Sequence, residues 1–116
     1  MGKQKETAPK IYKIKLSTFA LQNIDEITGY IAFINCEPLN AIKIGDAIFA
    51  TIDRIALNPF LFKECEEIPT KGKIYRRAIC FSWIIVYKIK VDEIIVLAII
   101  HKSRKPSKLK VLKKIK

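Results

Sequence analysis

A chain of 116 residues is long enough for one domain with its own core, since at this size roughly two thirds of the unfolded surface can be buried without staples. Half the residues are apolar, which excludes a disordered chain, and 22 Lys and Arg against 11 Asp and Glu leave a net charge of +11 that asks for an acidic partner. Cys36, Cys65 and Cys80 are odd in number and widely spaced, with a single histidine in the chain, so neither a disulfide framework nor a zinc site is supported. The expectation is reduced thiols, no metal and no cofactor.

The first residues, Met1 to Glu6, have no apolar segment behind their charges, so no signal peptide is expected. Residues 78–87, an uncharged run as long as any in the chain, are about half the length needed to cross a bilayer as a helix. A cytoplasmic protein with no membrane partner follows. Residues 1–9 read as a disordered extension, 10–106 as the domain and 107–116 as a basic tail.

Residues 11–16 alternate around Lys13 and Lys15, the period-two pattern of a half-buried strand. Ser17 or Thr18 can cap the helix that follows, where Leu21, Ile24, Ile27, Ile31 and Ile34 form an apolar stripe and Gln22, Asn23, Asp25 and Glu26 face outward. Gly29 weakens it. Pro38 suits the first turn of a second helix, with Ala41, Ile44, Ile48, Ile52 and Ile55 on one side and a stop at Asn58-Pro59. So short a link makes the two helices a hairpin that lays its stripes on a common surface.

Residues 60–73 mix Pro69 and Gly72 with charges and read as a solvated connection. Strands resume at Tyr75 and run to Lys90 with a turn or bulge near Ser82, then return through residues 90–92 into a strand over 93–101. The fold class is therefore α+β: an N-terminal strand, a helical hairpin and a three-stranded antiparallel meander. From Lys102 onward there are eight basic residues and no acidic one, and Leu109, Leu112 and Ile115 share a helical spacing. The tail reads as a frayed, solvated terminus, with a phosphate-tracking arm or a docked third helix as alternatives.

The chemistry-bearing stretch is the end of the last strand. An apolar stem stops on His101-Lys102-Ser103-Arg104-Lys105-Pro106, and a rigid stem positions a charged tip well. A lone histidine without a visible partner is more often a polar strand terminus than a catalyst. Arg76 and Arg77 are adjacent on a strand and point to opposite faces, so at most one of them shares a surface with His101 and Arg104. Trp83 and Tyr87 read as core rather than stacking platforms.

The order of elements, the Tyr75-Arg76-Arg77 strand entry, the Trp83 to Ile89 strand, and the apolar run into His101-x-x-Arg104-x-Pro106 resemble the RelE/ParE superfamily of type II toxin–antitoxin toxins, in its ParE-like branch. The resemblance spans residues 10–106. It implies a growth-inhibiting, plasmid-stabilising toxin held in check by an acidic antitoxin. The implied target is DNA gyrase for ParE-like members or messenger RNA in the ribosome for RelE-like endoribonucleases. It also implies target binding by Arg76, Arg77, His101, Lys102, Arg104 and Lys105, with His101 and Arg104 the candidates if there is catalysis. The nuclease branch carries an arginine three residues before the strand tyrosine, where this chain has Ile84, and some members use a C-terminal aromatic, whereas none follows Tyr87 here. Binding without chemistry is the favoured reading; a metal-independent endoribonuclease and a non-toxic nucleic-acid-binding protein of the same fold are the alternatives.

Overall fold

The computed structural model describes residues 11–104 and 106–115, and of residues 106–109 the backbone. The expected extension over 1–9 and Lys105 fall outside the described residues. Strand β1 (Lys13–Leu16) leads into helix α1 (Thr18–Gly29), which continues as a π-helical turn (Tyr30–Ile34). Helix α2 (Pro38–Leu57), a 3-10 turn (Pro59–Leu61), and strands β2 (Lys63–Glu64), β3 (Tyr75–Cys80), β4 (Trp83–Ile89) and β5 (Glu93–His101) follow. The strands form one sheet in the order β1-β5-β4-β3-β2, with β1 parallel to β5 and the other pairs antiparallel. The expected strand, hairpin and meander are all present, and β1 and β2 extend the meander at its two edges. No helix among the described residues is long and apolar enough to cross a membrane.

The hairpin packs on one face of the sheet. Ile24, Ile27, Ile48, Ile52 and Ile55 meet Ile85, Tyr87, Ile94, Val96 and Ile99 there. Burying each such side chain stabilises by about 1.5–3 kcal/mol. The α1 stripe is rotated from its expected position: Ala20 and Asn23 are buried, whereas Leu21 and Ile34 are exposed. Asn23 turns inward because it falls between Ala20 and Ile27 at helical spacing, and its amide finds a backbone partner on the sheet.

The second sheet face carries its own cluster, including Tyr75, Ile84, Val86, Ile95 and Leu97. Two segments cover it that the sequence reading left in solvent. Residues 60–73 are not a simple solvated connection: Lys63–Glu64 pairs with β3, the Cys65 N–H donates to the Tyr75 carbonyl at 2.8 Å, and Cys65 and Ile68 are buried. The tail forms a 3-10 segment (Pro106–Lys114) whose Leu112 packs into this cluster, so a frayed, solvated terminus is overturned at that residue.

The Phe81-Ser82 link is a two-residue hairpin turn, with Phe81 at φ 55°. The irregularity of the meander lies elsewhere. Val86 pairs with Ala98 but Tyr87 pairs with Val96, leaving Leu97 as an extra residue in β5. Leu97 and Ala98 both join the second cluster, and Ile99 returns to the hairpin face.

Candidate target-binding cleft

Strand β1 ends at Leu16 opposite Val96, so past that point α1 side chains take over the outer edge of β5. Ser17 does this first. Its N–H donates to the Val96 carbonyl at 2.9 Å and its hydroxyl to the Leu97 carbonyl at 2.8 Å, while the same Oγ caps α1 by accepting from the Ala20 N–H. Two turns on, Asn23 Oδ1 accepts from the Ile99 N–H at 2.9 Å. These bonds fix the start of α1 against the bulged strand and leave a cleft of about 270 Å³ between the helix end and the tip of β5.

The cleft is lined by Glu26, Tyr30, Trp83, Ile99, His101 and Arg104, among others. The π-helical turn begins at Tyr30, which is 58% exposed at the cleft; such turns widen a helix locally and recur at functional sites. His101 reaches the hairpin side because it stands two residues beyond Ile99 on β5. Opposite it across the strand pair stands Trp83, whose ring meets the imidazole edge-on, at 88° and 5.0 Å between centroids.

The turn after His101 fixes the tautomer of its ring. The Ser103 N–H donates to His101 Nδ1 at 3.1 Å, and Ser103 Oγ lies 2.8 Å from the same nitrogen. Because a backbone N–H can only donate, Nδ1 is the acceptor and the neutral ring carries its proton on Nε2. The Arg104 N–H closes the turn on the His101 carbonyl at 3.0 Å, and no carboxylate among the described residues is ion-paired to its exposed guanidinium. The His101–Arg104 end thus offers donors and positive charge.

The other expected site residues are scattered. Lys102 is exposed and donates its backbone N–H to the Ser82 carbonyl. Arg76 lies on the hairpin face and serves the fold: Nε donates to the Lys73 carbonyl, Nη1 to the carbonyls of Phe60 and Phe62, and the guanidinium stacks 5.2 Å from the Phe60 ring centre. Arg77 stands on the opposite face, level with Lys63 and Val86. Neither arginine lines the cleft. Ile84, at the position of the nuclease arginine, is buried on the second face. Tyr87 is core, as expected; its hydroxyl donates to the Pro59 carbonyl at 2.6 Å, and burial pushes its pKa up. The sequence reading missed Asn23, Glu26 and Tyr30. The signal for Asn23 was its place within the apolar stripe; Tyr30 depends on the π turn, which no spacing announced.

A family model described as ParE toxin of type II toxin-antitoxin system, parDE, matches residues 14–106. Among solved structures, the chain is similar to one titled "Chromosomal ParDE TA system from P. aeruginosa", at 18% identity and a TM-score of 0.61, covering 78% of this chain and 96% of that one. No curated protein matches. The family model spans well over half of the chain and the fold is similar to the solved structure, so the chain belongs to the ParE toxin family of type II toxin–antitoxin systems.

Proposed function

We propose that this toxin arrests growth by binding an essential target, DNA gyrase, through the cleft end of β5, and that a cognate acidic antitoxin neutralises it. The observation that carries the binding reading is the hydrogen bonding of His101. With Nδ1 already accepting from Ser103 and the proton on Nε2, the ring is a donor beside the Arg104 cation, suited to an acidic or carbonyl-rich surface. Service as a general base would need the tautomer reversed and the bond from the Ser103 N–H broken. Lys102 and Lys105 extend the same basic tip along the sequence.

The antitoxin reading is supported by an apolar groove of about 710 Å³ between α1 and α2, lined by Phe33, Ala41, Ile42 and Phe49 and open to solvent. An amphipathic segment of the antitoxin fits such a groove.

Induced expression in a bacterial host should arrest growth, and the neighbouring acidic reading frame should relieve the arrest. The purified protein should block supercoiling by gyrase, and the double variant His101→Ala/Arg104→Ala should weaken that block about tenfold or more. Normal growth with soluble, folded protein would sink the toxin reading. The meeting of His101 and Arg104 in one cleft is what favours the second reading, a ribosome-dependent endoribonuclease; codon-specific cuts in a defined message that vanish in the double variant would establish it instead.

A further inference from the structure

The sheet face turned away from the hairpin breaks a rule that strands usually obey. Lys63 and Arg77 sit directly opposite each other across β2 and β3, and like charges in that position destabilise a strand pair. Lys88 lies one step diagonally away, paired with Tyr75 and resting 5.6 Å over its ring. None of the three has an ion-pair partner among the described residues, although Arg77 and Lys88 are partly withdrawn from water. An arrangement that costs stability without repaying it inside the fold marks a surface kept for a partner.

The same face continues its charge toward the other edge. Lys15 shares Ile95 as a neighbour with Lys88, two strand spacings or about 10 Å apart. Among the strand residues of this face the one carboxylate is Glu93, already drawn toward Lys15 at 3.9 Å and Lys90 at 3.8 Å. The covering loop adds Glu66 and Glu67, of which Glu67 accepts from the Cys65 thiol. The tail, pinned here by Leu112, adds exposed Lys110, Lys113 and Lys114.

From these placements we infer that the face opposite the hairpin is a binding surface for the phosphate backbone of duplex nucleic acid, separate from the cleft. The strands that carry these cations lie about 19 Å apart from β1 to β2, the axial rise of roughly five or six base pairs, and the tail that covers part of the face between them adds its own lysines. Its cations are mostly lysines, point charges suited to phosphates read without base specificity. Tyr75, the aromatic side chain of this face, is 4% exposed and gives unstacked bases no platform, which favours a duplex over a single strand. An acidic protein would need several exposed apolar anchors, and these gather on the hairpin, at Phe33, Leu39 and Ile42, whereas among the described apolar strand residues of this face Ile79 alone is exposed.

The test is binding of the full chain to a fluorescent 24-base-pair duplex of arbitrary sequence, followed by anisotropy across a potassium chloride series. The variant Lys63→Gln/Arg77→Gln/Lys88→Gln should bind more weakly and flatten the salt slope by about 2–3, near 0.9 for each lost phosphate contact. Lys13→Gln/Lys15→Gln, at the opposite edge, should flatten it by about 1–2 and serves if the triple variant does not fold. The cleft variant His101→Ala/Arg104→Ala should keep the wild-type slope, so growth arrest and duplex binding fail independently. An unchanged slope in a folded triple or edge variant overturns the inference. So does a triple variant that binds duplex normally but loses the antitoxin, which would assign the face to an acidic protein.

Discussion

Asn23 shows how one side chain can join two elements. Its Oδ1 is the partner of the Ile99 N–H at an edge where β1 has already ended, so Asn23→Ala leaves a buried donor unsatisfied and should cost about 1–3 kcal/mol in urea unfolding. The same variant should loosen the β5 tip and weaken target inhibition, which measures the cleft apart from its charge. Cys65 makes a second residue-level case. Burial and its hydrogen bond to Glu67 push its thiol up from 9.0 to about 11, so the folded state holds that proton more tightly than the unfolded chain does. Stability from this group is whole below about pH 9 and is lost as pH rises through 11; Tyr87, also pushed up, adds a loss of the same sign from about pH 10. The unfolding free energy from urea titrations should fall between pH 8.5 and 10.5 by on the order of 2 kcal/mol, and less in Cys65→Val.

At the scale of elements, the tail has more to lose than its charge. Leu112 is 3% exposed against the second face, so Leu112→Ala should cost about 2–4 kcal/mol, and deleting residues 107–116 should lower the melting temperature while leaving a cooperative transition. Hydrogen exchange along β3 and β4 would show whether the uncovered face opens first. The alternation of residues 11–16 and 83–89 and the helical stripe of α2 made these elements legible, because each buries one face continuously. What stayed hidden depended on partners distant in sequence. Residues 63–64 become a strand only because β3 offers an edge, Leu112 is buried only because the sheet has a second apolar face, and the π turn at Tyr30 has no signature in the spacing of its residues. At the cleft, His101 and Arg104 were legible as a charged tip on an apolar stem, but their separation from Arg76 and Arg77 was only half legible: alternation divided the two arginines, while the carbonyl cage around Arg76 needed residues 60–62 folded beside it.

Over the whole molecule the charge is divided between sides. Residues 18–57 hold five of the 11 carboxylates and only two of the 22 cations, so the hairpin is net negative while the remainder of the chain carries +14. The exposed apolar groove lies on the negative side, and antitoxin docking there should rest on burial of apolar surface. Antitoxin affinity should therefore survive about half-molar salt, where exposed charge pairs are largely screened, whereas duplex binding should collapse; a titration of both complexes in one salt series checks this. Strand β5, which serves both sides, carries one unpaired residue. Before Leu97 the even-numbered residues Ile94 and Val96 look toward the helices, and after it the odd-numbered Ile99 does. The extra residue therefore aims the strand without deciding which side its tip faces. Removing Leu97 would take out the bulge and leave Tyr87 with Val96, Val86 with Ala98 and Trp83 with His101 in register, so His101 should stay on the hairpin side. The deletion should cost stability through a lost buried leucine and the lost bond from the Ser17 hydroxyl, and if the folded variant also inhibits the target poorly, it is the local twist of β5 that points the tip.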